Sequence, residues 1–471
     1  MPTAEQTAGL ARALGIYDKA ARERIFGAGT NRIVPARDGY RVSLPLFTDQ
    51  SNDTVAVDDM TFRARPEGQR WLFDKLTLPR IAVLKAAHGS TPIATVTLDT
   101  TGLDYKATID PSHASEGTVS ATADGGKMLV DTKDPSTGKL VHVVLEGGRF
   151  DDHITVGVAV DGRLDQTQTV ALNNLKVTVE GQPGMLAAGQ IGVGGKVGQF
   201  SPERLEALQG IIDAANAANG AASKTPTLDG SSGRPALTPA QQDIFLRLLD
   251  VYGKTFKSFE LTESITDFVF TDAVGGRVRL GKLSLATTFA ASDGKLDAKQ
   301  AIELRDFSMG PNKVSAAFAG LVPRRMTALL HFGGASTDAL AATLKRALDS
   351  PDAARAMLLQ MLADTPVHAA IDALSFDLGP ASFDLTASVD VHDLDLANAN
   401  YAGDLKLTGA AALQAVLAAS TDPRLSKDAV RALLFAKGLG KPDGEAIAWH
   451  VEVRHGRASV NGTDLLTLLP R

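Results

Sequence analysis

Six segments of this chain share one spacing: two apolar residues in alternation, two polar residues, then two more apolar residues in alternation. They are Val55-Val57-Met60-Phe62, Trp71-Phe73-Leu76-Leu78, Val170-Leu172-Leu175-Val177, Val278-Leu280-Leu283-Leu285, Ile302-Leu304-Phe307-Met309 and Val389-Val391-Leu394-Leu396. Side chains of a β-strand alternate between faces, so one extra residue should throw the second apolar pair onto the wrong side. A bulge at the polar pair keeps all four on one side, bends the strand and increases its twist. The polar pairs are Asp58-Asp59, Asp74-Lys75, Asn173-Asn174, Gly281-Lys282, Arg305-Asp306 and His392-Asp393. A tight turn at each pair is the rival reading, and only Gly281-Lys282 has that chemistry. The chain therefore reads as curved β-sheet with one apolar face.

The rest of the sequence supports this reading. Residues 4–26 carry Leu10, Leu14, Tyr17 and Ala21 on one helical stripe. From 39 to 181 the period is two, as in Tyr40-Val42-Leu44 and Ile154-Val156-Val158-Val160. Turn chemistry punctuates it at Pro66-Glu67-Gly68, Asp124-Gly125-Gly126, Ser136-Thr137-Gly138, Glu146-Gly147-Gly148 and Asp161-Gly162. No helical pattern separates these runs, so an antiparallel meander is expected in place of βαβ units.

Glycine, alanine and serine dominate 182–236, with one helix expected from Pro202, capped by Ser201. Beyond it, Thr238-Pro239-Ala240-Gln241 opens a helix, and strands are expected from about 256 to 309. A helical stretch at 337–363, broken at Ser350-Pro351, precedes strands at 371–408. Short helices near 410–419 and 427–437 lead to a closing hairpin, Trp449-Val451-Val453, turning at His455-Gly456-Arg457. The expected fold class is α+β and β-dominated: two lobes of curved, bulged, mainly antiparallel sheet with attached helices. Their limits are 1–181 and 237–471, joined by a linker at 182–236.

Composition narrows the function. The chain has 471 residues, a formal charge of −6 and no extended basic cluster, which argues against a nucleic-acid partner. Cysteine is absent, which removes disulfides, thiolate catalysis and cysteine-bound zinc. No stretch is apolar enough to form a transmembrane segment, and the start, Met1-Pro2-Thr3-Ala4, has no export-signal character.

Candidate chemical motifs fail on their own terms. In Gly192-Val193-Gly194-Gly195-Lys196-Val197-Gly198, Gln190 and Val197 stand where a P-loop needs glycine and Ser/Thr. Asp151-Asp152-His153 opens a strand, where consecutive side chains diverge and cannot share one metal ion. Ser136-Thr137-Gly138-Lys139 has the Ser-x-x-Lys spacing of some acyl enzymes but lies in a turn, not at a helix start. No catalytic residue, metal ligand or cofactor site is nominated.

Asp38-Gly39-Tyr40-Arg41-Val42-Ser43-Leu44, Met60-Thr61-Phe62-Arg63-Ala64 and the final Val460-Asn461-Gly462 give the chain a resemblance of texture. It resembles bacterial envelope proteins of the YdgA-like kind and, more distantly, AsmA-like proteins. The resemblance implies a periplasmic or envelope-associated protein; a cytoplasmic location is the alternative. For the AsmA-like proteins it implies outer-membrane biogenesis and lipid movement along a β-lined groove. The leading expectation is a non-enzymatic protein that binds or shields a lipid or another envelope component. Its candidate apolar groove is lined by Val278, Leu280, Leu283, Leu285, Phe307 and Met309. A structural module that docks envelope proteins is the second reading, and a hydrolase the third.

Overall fold

The computed structural model describes most of residues 33–201 and 257–468, together with Leu10, Ala207, Ile211 and Arg247. The main omissions within those limits are 46–53, 86–91, 110–116, 311–320 and 393–398. The first half holds β1 (Ile33–Ala36), β2 (Gly39–Pro45), β3 (Thr54–Ala56), β4 (Asp59–Glu67), β5 (Arg70–Thr77), β6 (Ile81–Lys85) and β7 (Pro92–Thr101). It continues with β8 (Asp104–Ile109), β9 (Gly117–Ala123), β10 (Gly125–Lys133), β11 (Leu140–Gly147), β12 (Phe150–Val158), β13 (Leu164–Val179) and β14 (Met185–Phe200). The second half holds β15 (Ser258–Thr271), β16 (Arg277–Ser292), β17 (Lys295–Arg305), β18 (Ser308–Met309) and β19 (Arg325–Ser336). Helices α1 (Thr337–Asp349) and α2 (Pro351–Asp364) follow, then β20 (Val367–Asp377), β21 (Ser382–Val391) and β22 (Asn400–Thr408). Helix α3 (Ala410–Ala418), a π-helical turn (Arg424–Ala429) and α4 (Val430–Leu439) precede β23 (Lys441–Asp443), β24 (Ala446–Arg454), β25 (Arg457–Val460) and β26 (Thr463–Asp464).

All pairings are antiparallel. The sheet forks at β13. Along one branch β12 leads through β9, β8, β5, β4 and β2 to β1. Along the other β11 leads through β10, β7 and β6 to β3. From the far edge of β13 the sheet runs on through β14, β15, β16, β17, β19, β20, β21, β22, β24 and β25.

Two expectations need correction. The segment 185–200 falls within the expected linker, yet it is a strand paired along both edges, with β13 and β15. Gly189, Gly192 and Gly198 lie close against Asp267, Ser264 and Ser258 of β15, where a bare backbone fits. The pairing of β14 with β15 makes one sheet of what was expected as two lobes. The expected turns at Asp124-Gly125-Gly126 and Glu146-Gly147-Gly148 are also not reversals. There β9 passes into β10 and β11 into β12, and the register with neighbouring strands is the same on both sides of each gap. The helices expected at 4–26, 202–219 and from 238 lie outside the described residues, except that Leu10, Ala207, Ile211 and Arg247 are helical.

Among the described residues, four buried clusters anchor the sheet, the smallest joining Val156, Leu164 and Phe200 on β12, β13 and β14. At the N-terminal end Leu10 is fully buried with Tyr40, Val42, Phe62, Trp71, Phe73 and Ile109. Near the middle, α1 and α2 set Leu340, Leu358, Met361 and Leu362 against Ala335 and Val367. The Ser336 hydroxyl caps α1 by accepting the Ala339 N–H at 3.2 Å. At the C-terminal end α3 and α4 cover Leu407, Trp449 and Val460.

Candidate functional site: the apolar face of a creased sheet

Three of the six repeated segments, on β13, β16 and β17, have their polar pairs level across the sheet. Asn173 pairs with Gln190, Gln190 with Thr266, Thr266 with Lys282 and Lys282 with Arg305. That register puts Asn174, Gly189, Asp267, Gly281 and Asp306 in a line across the sheet. None of the five sits in a ladder pair; pairing resumes beyond them, as at Leu175 with Ala188 and Phe268 with Leu280. Asn174, Asp267 and Asp306 adopt φ of 54°, 50° and 53°. This is left-handed backbone, which asparagine and aspartate accept more readily than other side-chain-bearing residues.

The glycines in the line make room. A Cβ on Gly189 would lie 2.9 Å from Asp267 Cβ, and one on Gly281 2.9 Å from Asp306 Cβ. The same pairing recurs towards the N-terminus, with Gly148 3.2 Å from Asn174 Cβ and Gly102 2.9 Å from Asp124 Cβ. Four antiparallel strand pairs thus carry a glycine on the first strand and an Asp or Asn folded over it from the second. The repeat is structural, and its spacing in sequence varies too much to be read there.

A bulge was expected at each polar pair. One is present where the β4–β5 register shifts between Thr61 and Arg63, opposite Lys75 at φ 56°. Trp71, Phe73 and Leu76 accordingly share one cluster across it. At Asn173-Asn174, Gly281-Lys282 and Arg305-Asp306 the register does not shift. Neighbouring strands are interrupted at the same level, so they crease together where a lone strand would have bulged. His392-Asp393 falls at the limit of the described residues.

The crease does what the spacing demands. Along β13 the exposed residues are Thr167 and Thr169 before it, then Asn174 and Lys176 beyond it. The parity has switched, and Val170, Leu172, Leu175 and Val177 remain on one side. Two consecutive residues on the polar side make that side the outer, longer one, so the apolar side lies within the bend.

On the apolar side a single row crosses twelve strands in register. Ala123, Phe150, Leu172, Ile191, Ile265, Leu283 and Leu304 follow one another from β9 to β17. Met326, Phe376, Phe383, Leu407 and Ile447 continue it to β24. At the usual strand separation this row is roughly 50 Å long. Beyond the crease a second row joins Leu98, Met128, Leu145, Val177, Leu186, Phe270, Val278 and Met309. The opposite face reads Ala171, Gly192, Ser264, Ser284, Glu303, Thr327 and Ser375 at the adjacent level. There Lys282 donates to Glu303 at 2.6 Å and Arg305 also pairs with it, so Glu303 is held below its ordinary pKa.

The residues singled out from sequence sit on the apolar rows. Val278 pairs with Met309, Leu283 with Leu304 and Leu285 with Ile302. Leu280 is buried and faces Phe268, while Phe307 follows Asp306 just past the crease. Met309 is 38 % exposed, and Val278, Leu283, Leu285 and Phe307 are half-buried. Sequence reasoning missed β14 and β15, which complete the surface. In Leu186-Ala188-Gly189-Gln190-Ile191-Val193 alanine fills a large-apolar position, and in Glu263-Ile265-Thr266-Asp267-Phe268-Phe270 glutamate does. The two-polar-residue core of the motif was nevertheless present in both.

Among the described residues of β12 to β17, two carboxylates enter the apolar side: Glu263, and Asp152 opposite Val170. Asp152 accepts a long hydrogen bond from the Gln168 amide at 3.4 Å. Burial, with Asp152 adding to it, pushes the Tyr105 phenol above its ordinary pKa. Asp151 instead binds Arg149 at 2.9 Å and His153 meets Thr155 at 3.2 Å, so the triplet Asp151-Asp152-His153 does not converge. Gly192 to Gly198 lie within β14 and form no phosphate loop. Ser136 lies outside the described residues. Among the described residues, no group of three or more His, Asp or Glu is placed to hold a metal ion, and no helix is long and apolar enough to cross a membrane. No protein-family model, curated protein or solved structure matches the chain.

Proposed function

We propose that this protein binds lipid acyl chains along the apolar side of its creased sheet and serves, without catalysis, as a lipid-binding or lipid-shielding component of a bacterial cell envelope. The observation that carries the reading is the middle of the apolar row, from Leu172 on β13 to Met326 on β19, which lies outside the helix-covered clusters and is backed by a small and polar opposite face. A sheet whose apolar side served only as the floor of a helix-covered core would bury that side. Among the described residues, Ile191, Ile265, Leu283 and Leu304 instead stay half-buried and join none of the helix-capped clusters. Covering a half-exposed Leu or Ile with an acyl chain contributes on the order of 1 kcal/mol, and a row offers many such contacts. The crease supports the reading by folding the two apolar rows towards one another.

Native mass spectrometry of delipidated protein mixed with phosphatidylethanolamine and phosphatidylglycerol tests it. Lipid adducts are expected on the unmodified chain and should be strongly reduced by Ile191→Gln with Leu283→Gln. Absence of adducts, or adducts indifferent to these substitutions, defeats the acyl-chain reading.

A further inference from the structure

Helix α4 has two unlike sides. Its inner side sets Val430, Leu433, Ala436 and Leu439 against the C-terminal core. Two hydrogen bonds fix it there: the Trp449 indole donates to the Ala436 carbonyl at 2.7 Å, and the Asn461 amide donates to the Leu439 carbonyl at 2.8 Å. The outer side carries Leu434 and Phe435, 48 % and 63 % exposed. Arg431, three and four residues before them, shares that side and is exposed. Arg424 and Lys427, in the π-helical turn leading into α4, are exposed as well.

Isolated apolar residues on a surface are ordinary. Here two large ones are adjacent, on a rigid helix, beside three exposed cations and a single exposed carboxylate, Asp428. The chain as a whole has a formal charge of −6, so the cationic patch runs against the overall balance. This is the composition by which a helix lies in a membrane interface: apolar side chains enter the acyl boundary while arginine and lysine reach anionic headgroups.

We propose that the outer side of α4, with its π-helical lead-in, docks this protein on the surface of an anionic phospholipid bilayer. The inference goes beyond the acyl-chain reading and stands without it, because the middle of the apolar row and the outer side of this helix are separate surfaces. Net repulsion between an acidic protein and an anionic bilayer makes the local patch decisive. Docking should therefore be sensitive both to the apolar pair and to the cations.

Vesicle co-sedimentation of the full chain tests it, with phosphatidylcholine vesicles compared against vesicles containing phosphatidylglycerol. Binding is expected to the anionic vesicles and to weaken strongly near 1 M salt, where the screening length falls to about 3 Å. Leu434→Ser with Phe435→Ser, and separately Arg424→Glu with Arg431→Glu, should each lower it by about tenfold or more. Val274→Ser, at an exposed hairpin tip, is the control and should change nothing. All these positions are exposed, so unchanged melting temperatures verify folding. Anionic-vesicle binding that survives both α4 variants overturns the proposal, as does equal binding to neutral vesicles. So does an α4 variant whose only effect is to abolish self-association in the absence of vesicles, which would make the face a protein contact. Running both assays on both sets of variants keeps the two readings apart: the α4 variants should lose docking and keep lipid adducts, whereas Ile191→Gln with Leu283→Gln should lose adducts and keep docking, so each reading fails by its own assay.

Discussion

The N-terminal end of the sheet and its middle carry the same spacing but differ in what their apolar sides meet. In β5, Trp71 and Phe73 are 4 % and 3 % exposed, enclosed with Leu10, Tyr40, Val42 and Phe62. In β15, β16 and β17, two of which carry the same spacing side by side, Leu280 is the one large apolar side chain that is buried among the described residues. The rings at the N-terminal end also contact one another, Phe62 edge-on to Phe73 with centroids 5.6 Å apart. The spacing therefore specifies which side of a strand is apolar and leaves open what covers it. A bulge in one strand suffices where a compact core wraps the bend, whereas a broad sheet needs every strand to crease at one level.

The difference is broken most directly by truncation. Phe73→Ala should cost about 3–5 kcal/mol, as for an aromatic removed from a closed core. Leu283→Ala should cost only about 1 kcal/mol, because its side chain is already half in solvent. Chemical denaturation of the two variants checks this, with equal m-values required for the comparison. Similar losses would mean that the middle of the sheet is as enclosed as its end.

A smaller effect is expected at the crease. Gly281→Ala forces a Cβ against Asp306, 2.9 Å from its Cβ, and should cost about 1–3 kcal/mol. Asp306→Gly removes the obstructing side chain and suits the positive φ, so alone it should be nearly neutral, and combined with Gly281→Ala it should restore part of the loss. Additive losses in the double variant would show that the two residues do not share the crease, and the middle of the sheet would then need another account of its bend.

Much of this was legible from residues alone. The period-two runs, the interruption at Ser350-Pro351, the short helices α3 and α4 and the closing hairpin stand where their chemistry put them. The one-sided apolar spacing also holds across Asn173-Asn174, where the exposed positions change parity as required. What sequence could not supply is alignment between strands. That three segments share a level depends on register across connections of unequal length, and no local signal encodes it. Asp124-Gly125 and Gly147-Gly148 were misread as reversals for a related reason: an Asp or Gly that permits a turn equally permits a crease. Gly189 and Ala188 hid a further copy of the motif because small residues fit where a neighbour's side chain already occupies the space.

The polar side of the middle strands should be the most forgiving. Lys282 lies next to Leu283 in sequence but on the opposite side, where its ammonium pairs with Glu303 at 2.6 Å. Both partners are partly solvated, so Lys282→Ser should cost about 1 kcal/mol or less. Thermal melts alongside Leu283→Ala check the assignment of sides. A Lys282→Ser loss well above that of Leu283→Ala would mean that the apolar and polar sides have been interchanged.

The slightest effect separates the two ends of the sheet by pH. At the N-terminal end the Arg63 guanidinium grips Asp74 through two bonds of 2.7 Å and holds its carboxyl below the ordinary range. A depressed carboxyl contributes stability above its unfolded pKa, near 3.9, and loses it as pH falls through the lower folded value. Towards the C-terminal end His450 is raised by hydrogen bonds to Asp404, at 2.8 Å, and to Glu452, on strands β22 and β24. His142 is raised in the same way by Asp131, at 2.6 Å. A raised histidine contributes fully below its unfolded pKa, near 6.5, and loses that contribution as pH climbs through the higher folded value. Asp74→Asn should therefore flatten the acid limb of a melting-temperature profile, and His450→Asn the limb above about pH 6.5. Because His450 is solvent-exposed, its limb should be shallow and should fade with added salt. His450 also holds Glu452 below its ordinary pKa, so His450→Asn should touch the acid limb slightly as well. If it left the limb above about pH 6.5 unchanged, the pairing of His450 with Asp404 across β22 and β24 would be wrong, and with it the register that carries the apolar row to Ile447.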